Sequence, residues 1–77
     1  MKVTIILFGY MKEITGISQI SMEDLRNTDE LLEKLEMQYP AIKNRKYFIV
    51  VNKEIINGNT ALMDNYTVAL LPPYAGG

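Results

Sequence analysis

A chain of 77 residues, 48% hydrophobic and 22% charged, has room for one small packed domain and is too apolar to remain disordered. Eight Lys and Arg against nine Asp and Glu leave a net charge of −1, too little positive charge for the counterion release that drives nucleic-acid affinity. The absence of Cys and His excludes thiol catalysis, disulfides and ordinary zinc sites. No apolar run approaches the roughly 20 residues of a membrane span, and Met1-Lys2 leads into a strand pattern with no signal-peptide site, so a cytoplasmic protein is expected.

The first element, Lys2 to Phe8, is β-branched and apolar and reads as a strand that ends at Gly9, with the stretch to Gly16 as a loop. Ile17 to Met22 alternates at period two and is the natural antiparallel partner of that strand. Asn27-Thr28-Asp29-Glu30 supplies cap-type residues and early acidic charge. Leu31, Leu32, Leu35 and Tyr39 then share one helical face until Pro40 stops the helix after about three turns. Tyr47 to Val51 is apolar at every position, as in a strand covered on both faces or near the middle of a sheet. Asn52-Lys53 allows a tight turn into a short strand, Glu54 to Ile56, which Asn57-Gly58-Asn59 closes. The last strand is Thr67 to Leu71. Two strands, one helix and two or three further strands predict an α+β domain, with the helix across one face of a mixed four- to five-stranded sheet. The β-grasp (ubiquitin-like) arrangement fits this order.

The last strand runs into Pro72-Pro73-Tyr74-Ala75-Gly76-Gly77. Two prolines fix φ twice and remove two N–H donors, ending the sheet ladder and projecting a stiff spacer. Glycine lacks Cβ, so Gly76 and Gly77 can enter a channel too narrow for other residues and present an unshielded carboxylate. A carboxylate is a poor electrophile until it is joined to AMP from ATP, after which a sulfur or amine nucleophile can attack it. With no cysteine to hold sulfur, the terminal carboxyl is the candidate attachment point. The chain as a whole, residues 1–77, reads as one domain with a flexible tail from about residue 72.

The element order, the Val51-Asn52 turn, the Asp64 turn and the run from Ala69 to Gly77 resemble the small subunit of molybdopterin synthase, and the resemblance covers essentially the whole chain. Related thiamine-pathway sulfur carriers share the fold and terminal glycines but usually lack the diproline. Residues Gly9 to Gly16 also resemble the family's first loop, with Lys12 before Glu13. Asp64-Asn65-Tyr66 departs from the more usual Asp-Gly-Asp turn. Asn65 can still take the left-handed conformation, while Tyr66 replaces an acidic residue.

The resemblance implies a carrier cycle and a non-catalytic sulfur-donor subunit with no activity of its own. An E1-like adenylating enzyme would use ATP to activate Gly77, a sulfur donor protein would displace AMP, and the Gly77 thiocarboxylate would enter the large subunit. There, sulfur would pass to cyclic pyranopterin monophosphate, with acid–base groups and pterin contacts supplied by that subunit. No bound cofactor, metal, membrane or nucleic-acid partner is implied. Sulfur delivery to thiamine or another pathway, a ubiquitin-like modifier captured by lysines, and a binding module that never activates its tail are the alternatives.

Strand alternation proposes the docking surface. If Val3, Ile5 and Leu7 face the helix with Val68 and Leu70, then Ile6, Phe8 and Leu71 face the other way. Ile55 matches the third member of the family's apolar contact patch, so Phe8, Ile55 and Leu71 are the partner-binding candidates, continued by Pro72, Pro73 and Tyr74 along the exit. Lys43, Arg45 and Lys46 read as a solvated stretch. Met37 and Met63 read as gap-filling apolar residues.

Overall fold

The computed structural model describes residues 1–73. Its elements are β1 (Lys2–Leu7), α1 (Tyr10–Thr15), β2 (Gln19–Glu23), α2 (Thr28–Gln38), a 3₁₀ turn (Pro40–Asn44), β3 (Phe48–Val51), β4 (Glu54–Ile56) and β5 (Thr67–Leu71). The five strands form one mixed sheet in the order β2-β1-β5-β3-β4, with β1 and β5 parallel at its centre and the other pairs antiparallel. The expected β-grasp arrangement is therefore present. Its last strand is central, so the chain leaves the sheet from the middle.

Alternation decides which residues enter the core. Val3, Ile5 and Leu7 on β1 and Val68 and Leu70 on β5 are at most 1% exposed, and Leu31 and Leu35 of α2 pack with them. Burying a side chain of this size stabilises the fold by about 1.5–3 kcal/mol, so this layer dominates the stability. Leu32 and Tyr39 of the predicted helical face are only half-buried.

The start of α2 is closed from two directions. Asn27, in extended conformation, accepts a hydrogen bond from the Glu30 backbone N–H at 3.0 Å. Asn59, from the predicted turn after β4, accepts from the Asp29 N–H at 3.0 Å, while the Thr28 hydroxyl accepts from the Thr60 N–H at 2.9 Å. The helix dipole and its orphan N–H groups are thereby satisfied, and the segment leading to buried Leu62 is tied to the helix.

Three expectations need correction. The stretch Gly9 to Gly16 is not a loop, because it contains α1, whose Met11 is fully buried. Gly16, at φ 77°, closes that helix by donating its N–H to the Lys12 carbonyl at 2.8 Å. Of the two readings of the apolar run of β3, a place inside the sheet holds, since β3 lies between β5 and β4, whereas cover on both faces does not hold among the described residues, where Phe48 is 48% exposed. Met37 and Met63 fill no gaps, being 81% and 62% exposed, whereas Met11 and Met22 are the methionines of the core.

Candidate functional site

The face of the sheet opposite α2 is covered by no element among the described residues. The register sets its composition: Ile6 pairs with Ala69, Ala69 with Val50 and Val50 with Ile55, which makes a continuous apolar row across four strands. Next to this row, towards the end of β5, Phe48 pairs with Leu71. Phe8 follows β1 at the same end and donates its backbone N–H to the Leu70 carbonyl at 3.2 Å. Phe8 is 44% and Ile55 65% exposed, and Leu71 is half-buried. The three predicted contact residues thus share one face. An open groove of about 390 Å³ runs between the strands, lined by Ile6, Phe8, Val50, Asn52, Lys53, Thr67 and Ala69.

Sequence reasoning did not assign Phe48, Val50 and Ala69 to this surface. The parity that separates Leu71 from Leu70 would have found Ala69, but Phe48 and Val50 require the β3–β5 pairing, which lies outside local sequence.

Two turns hold the rim. Asn52 and Lys53 both have positive φ, 47° and 73°, as the tight hairpin between β3 and β4 requires. The Asn52 side chain also accepts from the Thr67 N–H at 2.9 Å, while its own N–H donates to the Thr67 carbonyl at 2.8 Å, fixing the start of β5. At the Asp64 turn, Asn65 adopts the left-handed φ of 67° expected for it. Asp64 accepts from the Lys2 N–H at 2.7 Å, joining this turn to the first residue of β1. Tyr66 packs against the core and lines a separate cavity of about 280 Å³ with Val51 and Ile56, so it does not belong to the open face.

The exit from β5 is tightly built. The ladder ends at Leu71, immediately before the diproline. Pro72 lies against Gly9, where a Cβ would come within 2.6 Å of the proline Cγ and where φ is +55°. Close approach and backbone conformation therefore both call for glycine there. Pro73 is half-buried, while Tyr74, Gly76 and Gly77 lie outside the described residues.

Electrostatics at the described site is plain. Burial raises the Tyr47 phenol above its ordinary value, and the nearby Glu36 carboxylate adds to the shift. Among the described residues no group of three or more His, Cys, Asp or Glu is placed to hold a metal ion, and no helix is long and apolar enough to cross a membrane. The arrangement provides an exposed apolar face with the chain exit at one end of it.

Residues 5–77 match the model of the ThiS family. The chain belongs to the ThiS family. It is 26% identical, over the full length of both chains, to the molybdopterin synthase sulfur carrier subunit of Chlamydomonas reinhardtii. It is also similar to a chain in the protein–protein complex of subunits 1 and 2 of the molybdopterin-converting factor of Helicobacter pylori, with 28% identity, full coverage of both chains and a TM-score of 0.77. SAMP1 of Haloferax volcanii shares the fold at 19% identity, with full coverage and a TM-score of 0.85. The chain is thus a ThiS-type sulfur carrier on a ubiquitin-like β-grasp fold, and its resemblance to molybdopterin synthase small subunits extends over the whole chain.

Proposed function

We propose that this chain is the sulfur carrier subunit of a molybdopterin synthase. The observation that carries the reading is the course of β5, which ends at Leu71 on the rim of an uncovered apolar face and continues in sequence through Pro72-Pro73 to Gly76-Gly77. In the proposed cycle, a carboxylate oxygen of Gly77 attacks the α-phosphorus of ATP on an E1-like enzyme, and pyrophosphate leaves. Sulfur from a donor protein then displaces AMP, giving a thiocarboxylate. The large subunit receives this tail, the thiocarboxylate sulfur bonds to cyclic pyranopterin monophosphate, and water cleaves the remaining acyl–sulfur bond, leaving sulfur on the pterin and returning Gly77 to the carboxylate. Phe8, Ile55 and Leu71 dock the carrier, Pro72 and Pro73 direct the tail, Tyr74 anchors its exit and Gly76 grants it access. The reaction belongs in the cytoplasm, where ATP is at hand.

The complex of the Helicobacter pylori subunits supports the large-subunit partner, and the whole-length likeness to the algal carrier subunit supports the pathway. The diproline favours this acceptor over thiamine synthesis. The fold shared with SAMP1, a small archaeal modifier protein, keeps a second reading in which lysine amines capture the activated Gly77.

Intact-mass analysis after incubation with ATP, the adenylating enzyme and a sulfur donor tests the proposal. A gain of about 16 Da at Gly77, oxygen replaced by sulfur, is expected. Absence of the adduct with a demonstrably active enzyme overturns the carrier chemistry, and isopeptide adducts on lysines in extracts would replace it with the modifier reading. Removal of Gly77 is expected to abolish the adduct and leave the thermal unfolding transition in place, since the sheet ends well before it at Leu71.

A further inference from the structure

Lys43, Arg45 and Lys46 read from sequence as a solvated stretch, and the fold gives that stretch an address. All three are exposed, and they lie just upstream of Phe48, the β3 residue that pairs with Leu71 at the chain exit. On the other side of the exit Pro72 rests on Gly9, and α1 begins there with Tyr10. The Tyr10 hydroxyl donates to the Lys46 carbonyl, and its ring lies 5.5 Å from the Arg45 guanidinium, so one aromatic residue pins the basic stretch beside the exit. Lys12 of α1 adds an exposed fourth cation.

Charge is segregated along the sheet. At the exit end, these four cations face two carboxylates, Glu13 on α1 and Glu36 near Tyr47. The opposite end carries Glu23, Asp24, Asp29, Glu30, Glu54 and Asp64 against Lys2, Arg26 and Lys53. The only ion pair among the described residues, Arg26 with Glu30 at 2.7 Å, belongs to that acidic end. Counting side chains, with Glu33 and Lys34 of α2 offsetting each other, the exit end carries two more cations than carboxylates and the opposite end three more carboxylates than cations, so positive side-chain charge gathers where the chain leaves β5.

We infer that Lys12, Lys43, Arg45 and Lys46 form a basic shoulder that docks on an acidic surface of the adenylating enzyme, beside the channel that takes the tail. The inference rests on the carrier reading and deepens it. Complementary charge accelerates and orients encounter more than it strengthens a finished complex. That property suits a partner that must accept and release the carrier in every cycle, with the positive charge beside the exit orienting the tail towards the channel.

The test is carrier-dependent ATP–pyrophosphate exchange by the adenylating enzyme across a range of salt concentrations. A Lys43→Glu, Arg45→Glu, Lys46→Glu variant is expected to lose about tenfold or more in kcat/KM at low salt, with the deficit shrinking as salt screens the charges. The pair Lys43→Glu and Lys46→Glu retains the Arg45–Tyr10 contact, so a loss in this variant with an unchanged melting curve separates docking from folding. Lys34→Glu on the helix face is expected to match the parent. Wild-type behaviour of the triple variant at low salt, or an equal loss for Lys34→Glu, overturns the shoulder alone. A wild-type chain that supports no exchange overturns both the shoulder and the carrier reading.

Discussion

On the helix side of the sheet Val3, Ile5, Leu7, Val68 and Leu70 are at most 1% exposed, whereas on the opposite side Phe8, Phe48 and Ile55 retain between 44% and 65% of their surface. Both faces are made by the same strands from the same kinds of side chain. One is closed by α2, and the other has no cover among the described residues. Apolar character therefore has two fates in this chain: on the first face it is buried in the core, and on the second it stays exposed among the described residues. A contiguous exposed apolar surface on a small domain is the usual mark of an interaction site. Under the proposed function, the contrast is what lets 77 residues combine a stable fold with a docking surface.

The contrast breaks most visibly in the core. Leu35→Ala is expected to lower the unfolding free energy by about 2–5 kcal/mol in urea titrations, since Leu35 is fully buried under the sheet. Ile55→Asp on the open face is expected to leave stability within about 0.5 kcal/mol. It should nevertheless weaken binding of the large subunit about tenfold or more by calorimetry. If Ile55→Asp lowered stability as much as Leu35→Ala does, or left binding unchanged, the division between the faces would be wrong.

Smaller changes sharpen the picture. Asn27→Ala removes the side-chain cap of α2 and is expected to cost about 1 kcal/mol, read as a lower Tm with unchanged open-face binding. For Tyr47, the folded phenol lies above the unfolded value of about 10. Its stabilising contribution is complete below that value and is lost as pH rises through the higher folded one. Tyr47→Phe should therefore flatten the alkaline side of the stability profile. The smallest effect belongs to Glu30, held below the usual carboxylate range by its hydrogen bond from the Arg26 side chain. The contribution is present above the unfolded value of about 4.3 and lost as pH falls through the lower folded one. Glu30→Gln should remove this acid-side dependence, slightly, because the pair is solvent-exposed.

Much of this molecule is legible in local pattern. The last strand, Thr67 to Leu71, and the short β4 coincide with their expected limits, because Pro72 and the Asn57-Gly58-Asn59 turn act at fixed positions. The helix start at Asn27 is legible for the same reason, since capping is a local contact. Phe8 and Leu71 are placed on the open face by strand parity, while Ile55 was assigned from the family resemblance and its pairing with Val50 brings it to the same face. The helix α1 was hidden because a six-residue segment between glycines cannot sustain itself in isolation. Its Met11 and Ile14, three residues apart, were the available signal. Met37 and Met63 were misassigned because apolar character does not state whether another element lies above a residue.

By itself, then, the sequence determined most of the inventory: the five strands and α2, their caps and turns, the diproline stop and the Gly-Gly tail, but not α1. These depend on backbone preferences and contacts a few residues apart. Only the tertiary structure decided that β5 lies at the centre of the sheet, that Phe48 and Val50 join Ile55 on one uncovered face, and that Arg45 and Lys46 stand beside the exit. Those outcomes depend on which strands pair and which face α2 covers, and burial of the common core between distant segments sets both.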